Sequence, residues 1–299
     1  ITMNHNTSAE QLADWLAADQ PLQDQSLWLD PGGCLIQVRS NSQALLDQLA
    51  RYFSYVLAAP GDAQFAVQLI ERDLPEHTIT FQDWPREPGK TGRKDSHADF
   101  VDARLIHKVR TGMLFLQSLQ YRVAAGPCLA NDNQVINFII AQYMNWLQQQ
   151  QWLICHAAGL LTPSGVLAMA GLSGGGKSTL MLHLLEQPGM AFLSNDRLFI
   201  QHHSGHTHAV GVPKLPRINP GTIVHNPRLH PLIEPLERQR LRQLPQKTLW
   251  DLEDKYDVMI DELYPTEHLA RNPADGAALQ AFVVLNWQHA SEAPPAVDE

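Results

Sequence analysis

The sequence has few cysteines, no long apolar run and no excess of basic residues. Its three cysteines, Cys34, Cys128 and Cys155, are odd in number and widely spaced, so they predict no disulfide framework and favour a reducing compartment. No apolar stretch approaches the roughly 20 residues needed to span a bilayer, and the first residues lack the basic and apolar regions of a signal peptide. We therefore expect a cytoplasmic protein with no membrane partner.

The charge balance is acidic and excludes a further class of partner. The formal net charge is −9, because 31 Asp and Glu outnumber 22 Lys and Arg. A surface of this sign repels the nucleic-acid backbone, so nucleic acid is not an expected partner. Hydrophobic residues make up 44% of the 299 positions, which is enough for two domains with cores of their own.

Changes of pattern along the chain predict three segments. Residues 1–127 alternate strand and helix patterns and end in closely spaced strands, which is typical of a small α+β domain. Residues 128–290 begin with a long amphipathic helix at 131–150, which could also lie across the domain boundary, and continue as an α/β alternation. The tail, 291–299, has the composition of a disordered segment.

Residues 171–178 carry the most informative motif in the chain. They read GLSGGGKS and match the pattern Gly-x-x-x-x-Gly-Lys-Ser/Thr at every required position. The apolar run 166–170 before them predicts a strand, and the leucines that follow Lys177 predict a helix. In this context, glycines let backbone N–H groups converge on an anion, and the helix N-terminus adds partial positive charge. The alternative is a glycine-rich turn that binds nothing.

The complete motif predicts a site for ATP and Mg²⁺. Lys177 would reach the β- and γ-phosphates, and the Ser178 hydroxyl would hold Mg²⁺. A second GKT sequence at 89–91 is rejected, because position 84, where its first glycine would stand, is Trp84. The predicted nucleotide-binding residues are Gly171, Ser173, Gly174, Gly175, Gly176, Lys177, Ser178 and Thr179.

Two further residues are candidates for the chemistry beside this loop. Asp196 follows the apolar run 190–194, which is where a Mg²⁺-orienting carboxylate would stand; a turn-forming Asn-Asp pair is the alternative. His156 precedes Gly171 by fifteen residues at the end of an apolar strand pattern. Taken alone, a histidine on a strand is more often a core residue than a catalyst.

Together these motifs resemble the HPr kinase/phosphorylase family over residues 150–225. The HprK-related kinases of type B are similar in more places: HAAG at 156–159, SNDR at 194–197 and GVPKLPRINPGT at 211–222. The resemblance implies an α/β P-loop core of the HPr kinase type, a mixed sheet flanked by helices and akin to the nucleotide core of phosphoenolpyruvate carboxykinase. It also implies a symmetric homo-oligomer.

One position departs from the family pattern. HPr kinases carry two adjacent aspartates here, and the first is assigned as the acid/base group. This chain has Asn195 at the first position and Asp196 at the second. An amide has no useful proton affinity near neutral pH, so phosphorolysis is put in doubt. Kinase activity is less affected, because Asp196 or His156 could accept the hydroxyl proton.

The segment 211–222 supplies two cations on a stretch that prolines stiffen. We predict that Lys214 and Arg217 act on the transferring phosphate or on an acidic acceptor. A solvated surface loop is the alternative. Four histidines at 201–208 could bind Zn²⁺, but a Ser-Gly turn between alternating residues favours an exposed hairpin instead.

Two functions from different classes fit these residues. The first is an ATP-dependent kinase that phosphorylates a hydroxyl of a protein serine or of a small molecule. The second is a nucleotide-gated binding module that hydrolyses ATP slowly and has no acceptor of its own. Asn195 favours the second, because a phosphate-loop protein without an acid/base group can still bind nucleotide.

Overall fold

A computed structural model describes residues 3–85, 95–269, 272–286 and 296–297. The chain divides into two units, residues 1–152 with 271–275 and residues 153–270 with 276–299. Both units combine helices with mixed sheets, so the predicted mixed α/β class is confirmed. The GKT sequence at 89–91 lies outside the described residues, as does most of the tail 291–299.

Helices and strands alternate along most of the described chain. The helices are α1 Ala9–Ala17, α2 Gln43–Tyr52, α3 Asp132–Gln149, α4 Lys177–Leu184, α5 Pro220–His225, α6 Pro235–Arg242, α7 Gln246–Asp251 and α8 Ile260–Leu263. The strands are β1 Leu27–Leu29, β2 Ile36–Ser40, β3 Phe65–Glu71, β4 Gln82–Asp83, β5 Asp95–Asp99, β6 Ala103–Lys108, β7 Met113–Ser118, β8 Arg122–Gly126, β9 Leu153–Cys155, β10 Ala157–Thr162, β11 Gly165–Gly171, β12 Ala191–Ser194, β13 Leu198–His203, β14 His206–Gly211, β15 Arg217–Ile218, β16 Tyr256–Asp257 and β17 Ala277–Leu285.

The first unit is built on an eight-stranded sheet in the order β1-β2-β3-β8-β7-β6-β5-β4. Strands β2, β3 and β8 are parallel neighbours, and β5 to β8 form the antiparallel meander that the closely spaced strand patterns predicted. Helix α1 begins with a reciprocal capping box between Ser8 and Gln11. Its buried Leu12 and Leu16 pack into a core cluster with residues of β7 and β8.

The division between the units differs from the predicted boundary at 127/128. Helix α3, assigned from sequence to the second domain, belongs to the first unit. Its apolar residues Val135, Phe138 and Ile139 are buried, and the rings of Phe138 and Phe115 lie 4.7 Å apart. The helix packs on α2 and β8. The division falls later than predicted because an amphipathic pattern shows that a helix has a buried face but not which sheet covers it.

The second unit contains a seven-stranded sheet in the order β12-β10-β11-β17-β14-β13-β9. Only β11 and β17 run parallel; the other neighbours are antiparallel. Small and branched residues such as Ala157, Val166 and Leu198 form its core cluster. Strands β15 and β16 form a separate pair. Within the described ranges, no helix is both long enough and apolar enough to cross a membrane.

Candidate functional site

The predicted strand, glycine loop and helix are confirmed. Strand β11 ends at Gly171 and α4 begins at Lys177. Gly176, the N-cap of α4, has φ of 80°, a left-handed conformation that side chains disfavour. At Gly175 a Cβ atom would lie 2.8 Å from the Leu172 carbonyl oxygen. Both glycines are therefore required by the path of the loop.

Lys177 lies against the loop that precedes it. Its side chain is almost fully buried, and Nζ donates to the carbonyl oxygens of Gly171 at 2.9 Å and Leu172 at 3.1 Å. The first hydrogen bond of α4 runs from the Leu180 N–H to the Gly176 carbonyl, and the N–H groups of a helix's first turn have no intrahelical acceptor. The ammonium group and the helix N-terminus thus place positive charge at the same loop.

Strand pairing brings His156 and Asp196 to the end of the sheet where the loop begins. Ala157 at the start of β10 pairs with Ala170 near the end of β11, and the other edge of β10 pairs with β12, which ends two residues before Asp196. His156 Nε2 lies 3.1 Å from Asp196 Oδ1. Two residues that the sequence separates by forty positions are therefore in direct contact.

Both side chains of this pair remain partly exposed. The side chain of His156 is 52% exposed and that of Asp196 is 35% exposed. The second carboxylate oxygen of Asp196 lies 3.4 Å from an Arg197 guanidinium nitrogen. Burial raises the pKa of the neighbouring Cys155 thiol, which disfavours the thiolate form.

Asn195 differs from its neighbour in being partly enclosed. Its Oδ1 atom is buried and accepts no hydrogen bond from any residue that the structure describes. A buried acceptor without a donor is costly. Asn195 therefore has an amide oxygen that can accept a hydrogen bond from a donor outside the described residues.

Ser194 is a residue that the sequence interpretation missed. It is fully buried, and its hydroxyl accepts from the Val212 N–H at 3.1 Å and donates to the Arg197 carbonyl. These two bonds hold the turn that carries Asp196 against the start of the segment 211–222. The signal in the sequence was a small polar residue at the end of an apolar run, which is too common to be specific.

The segment 211–222 contacts the site at both of its ends. Val212 bonds Ser194, and the hydroxyl of Thr222 lies 2.8 Å from that of Thr179 in the first turn of α4.

The two cations of the segment 211–222 have different surroundings. Lys214 is half-buried, and no ion pair of its ammonium group occurs within the described ranges. Arg217 forms an ion pair with Asp257 at 2.7 Å on the β15–β16 pair, so the structure brings it to another partner than Asp196.

The histidine segment forms the hairpin of β13 and β14. His203 and His208 stack with ring centroids 4.0 Å apart and nearly parallel planes, and His202 contacts the Thr207 hydroxyl at 3.2 Å. Among the described residues, no three His, Cys, Asp or Glu side chains converge as a metal site.

We predict that this hairpin has no role in metal or nucleotide binding. Replacement of His202, His203, His206 and His208 by serine should leave the melting temperature and the affinity for Mg-ATP nearly unchanged, because the hairpin is held by its backbone pairing. Both can be measured on the same preparation. Stoichiometric zinc in chelator-washed wild-type protein would contradict this prediction.

A cavity of about 650 Å³ lies at the opposite end of α4 from the loop, lined in part by His183, Glu186 and Arg228. The guanidinium of Arg228 makes two hydrogen bonds to Glu186, at 3.1 and 2.9 Å, and lies 5.4 Å from the ring centroid of Tyr264. Sequence interpretation did not single out these residues. The Arg228 charge is already paired there, so the cavity adds no group to the phosphate loop.

No protein-family model matches this chain, and no curated protein matches it significantly.

Proposed function

We propose that this chain is an ATP-dependent phosphotransferase with a P-loop core of the HPr kinase type. It transfers the γ-phosphate to a hydroxyl of a protein serine or of a small molecule. The observation that carries the proposal is the contact between His156 and Asp196, 3.1 Å apart at the end of the sheet where the loop of Lys177 begins. A histidine and a carboxylate beside a phosphate loop are the groups that phosphoryl transfer to a hydroxyl needs.

The residues at the loop fit a Mg-nucleotide. The Ser178 hydroxyl and the Asp196 carboxylate are oxygen donors, which Mg²⁺ prefers, and it is usually held by one or two carboxylates together with substrate phosphates. Asp196 is exposed enough to accept a ligand. These two residues would hold Mg²⁺, which neutralises phosphate charge when bound. Lys177 would exchange the loop carbonyls that it now contacts for phosphate oxygens.

The contact between His156 and Asp196 turns Nε2 of the imidazole toward the carboxylate and leaves Nδ1 on the other side of the ring. We propose that Nδ1 is the nitrogen that keeps a lone pair when His156 is neutral. With about half of its side chain exposed, His156 can be reached by an acceptor hydroxyl. It would take the hydroxyl proton at Nδ1, and Asp196 would stabilise the resulting imidazolium.

Lys214 should contribute to the transfer step more than to nucleotide binding. Its ammonium group has no protein carboxylate partner within the described ranges, whereas Arg217 is paired with Asp257. We expect Lys214→Ala to lower turnover while the affinity for Mg-ATP stays within a few fold, because a cation that meets the developing charge late raises the rate and not ground-state binding. Arg217→Ala is the matched comparison and should cost less. Equal losses of rate and affinity in Lys214→Ala would instead place this residue on the bound nucleotide.

A second function, a nucleotide-gated binding module, is favoured by two observations. The position of the family's acid/base group is an amide, Asn195, and the guanidinium of Arg217 is engaged by Asp257. A protein of this kind would bind Mg-ATP at the same loop, hydrolyse it slowly and signal to a partner.

Incubation with γ-labelled ATP and a lysate of the protein's own cells separates the two. Label on a discrete protein or small molecule, absent with the Lys177→Ala variant, supports the phosphotransferase. Label released only as inorganic phosphate, at the same rate with and without lysate, supports the module. Neither transfer nor release would contradict both.

A further inference from the structure

An exposed tryptophan lies flat on α5. Trp250 in α7 is 40% exposed, and its six-membered ring covers Gly221, where a Cβ atom would lie 2.5 Å from Cε3. The indole is also nearly parallel to the His225 ring, at 14° and 5.5 Å between centroids. Gly221 and His225 are four residues apart and so share one face of the helix. Gly221 and His225 therefore form a seat for the indole, and the residue remains 40% exposed while it lies there.

This seat is joined directly to the phosphate-loop helix. Thr222, the residue after Gly221, is buried, and its hydroxyl lies 2.8 Å from the Thr179 hydroxyl. Thr179 belongs to the first turn of α4, two residues after Lys177. A single side-chain hydrogen bond thus joins α5, the helix on which the indole lies, to the helix turn predicted to hold phosphates.

A nucleotide has a planar apolar end, the base, and an anionic end, the phosphates. The exposed indole of Trp250 matches the first, and the first turn of α4 matches the second. Stacking of a nucleobase on an exposed aromatic ring is favourable and tolerates any base, because every base has a π-face. The helix turn and the ammonium of Lys177 suit the phosphates. The indole bears no charge, and the glycine beneath it lets it lie against the backbone.

We propose that the outer face of Trp250 stacks on the purine base of the nucleotide held at the loop, with Gly221 and His225 as the seat of the indole. The inference rests on the proposed function, since it assigns the base end of the same ligand. It also sets the specificity: a stacking surface reads no base edge, so ATP and GTP bind with similar affinity.

The test compares three ligands on the full chain: Mg-ATP, Mg-GTP and Mg-tripolyphosphate, which has no base. Trp250→Leu keeps an apolar side chain at this position of α7 but removes the ring. It should weaken the affinity for ATP and for GTP alike by about 5- to 150-fold, from the usual strength of base stacking, and leave the affinity for tripolyphosphate unchanged. Trp250→Phe should stay within a few fold of wild type. The control is Trp84→Leu, since Trp84 is similarly exposed, at 38%, and also stacks on a histidine.

A second measurement uses wild-type protein and Trp250→Phe only, so that it stands even if the leucine variant does not fold. Mg-ATP should quench the tryptophan fluorescence of wild type, Mg-tripolyphosphate should not, and Trp250→Phe should abolish the quenching. Unchanged ATP affinity in Trp250→Leu, an equal loss for tripolyphosphate, or a large preference for one purine would overturn the inference while leaving the proposed function intact. Failure of wild type to bind any of the three ligands would overturn both.

Discussion

Asp196→Asn is expected to reduce phosphate transfer by at least about 100-fold. The substitution keeps the size of the side chain but removes the charge that would neutralise Mg²⁺, and such charge stabilisation is worth several kcal/mol in a transition state. It also removes the negative partner of His156, which lies 3.1 Å from Asp196 Oδ1. The imidazolium formed when His156 accepts a proton would then lose its stabilisation.

The measurement is the initial rate of label transfer from γ-labelled ATP, with Glu186→Gln as the control. Glu186 is a carboxylate of similar exposure in the same unit, paired with Arg228 at the far end of α4, and its loss should leave the rate nearly unchanged. Asn195→Ala should cost less than Asp196→Asn, because it removes a hydrogen-bonding amide and no charge. Full wild-type activity in Asp196→Asn would remove Asp196 from the site.

Asn195→Asp is expected to add reactivity in the direction of phosphorolysis. In that reaction inorganic phosphate attacks the phosphorylated product, which returns the free hydroxyl and releases pyrophosphate. The Asn195 Oδ1 position is buried, and burial disfavours the charged form of a carboxyl, which raises its pKa. An aspartate at this position would therefore supply an acid/base group near neutral pH. General acid–base catalysis contributes typically 10²–10⁴-fold.

This gain can be measured by labelling the acceptor with wild-type protein and then chasing with inorganic phosphate. Asn195→Asp should release the label as pyrophosphate much faster than wild type does. Asn195→Ser serves as the control, since it changes the side chain without adding a titrating group in this range. The binding-module hypothesis expects no transfer from either protein, and equal release by wild type and Asn195→Asp would show that position 195 has no acid/base role.

The local elements around the loop could be predicted because their signals are local. The apolar run before Gly171 and the leucines after Lys177 gave the strand and the helix, and both are present at those positions. The placement of α3 differs from the predicted one for the opposite reason. Helix α3 packs on α2 and β8, which precede it in the sequence. The helical periodicity predicts that one face of α3 is buried, but it does not indicate which elements cover that face.

The site residues show the same contrast between local signals, which the sequence contains, and tertiary contacts, which it does not. Spacing and motif singled out His156 and Asp196 separately, but only the antiparallel pairing of β10 with β12 brings them into contact. The ion pair of Arg217 with Asp257 was not foreseen, because it depends on the two-residue strands β15 and β16. Strands that short have no periodicity to read. Ser194 and Trp250 were not singled out from the sequence, because the contacts that distinguish them are with tertiary neighbours, Val212 and Gly221.

The most direct measurement of the central claim, that the loop at 171–178 binds Mg-nucleotide, is a thermal shift with three proteins. A ligand at one hundred times its Kd adds about 2.7 kcal/mol of stability, and each kcal/mol moves the melting temperature of a domain of this size by roughly 2–4 °C. Wild type with saturating Mg-ATP should therefore melt about 5–10 °C higher. Lys177→Ala should lose the shift, whereas Lys90→Ala, in the rejected GKT sequence, should keep it. No shift in wild type at millimolar Mg-ATP, or an undiminished shift in Lys177→Ala, would contradict a nucleotide site at this loop.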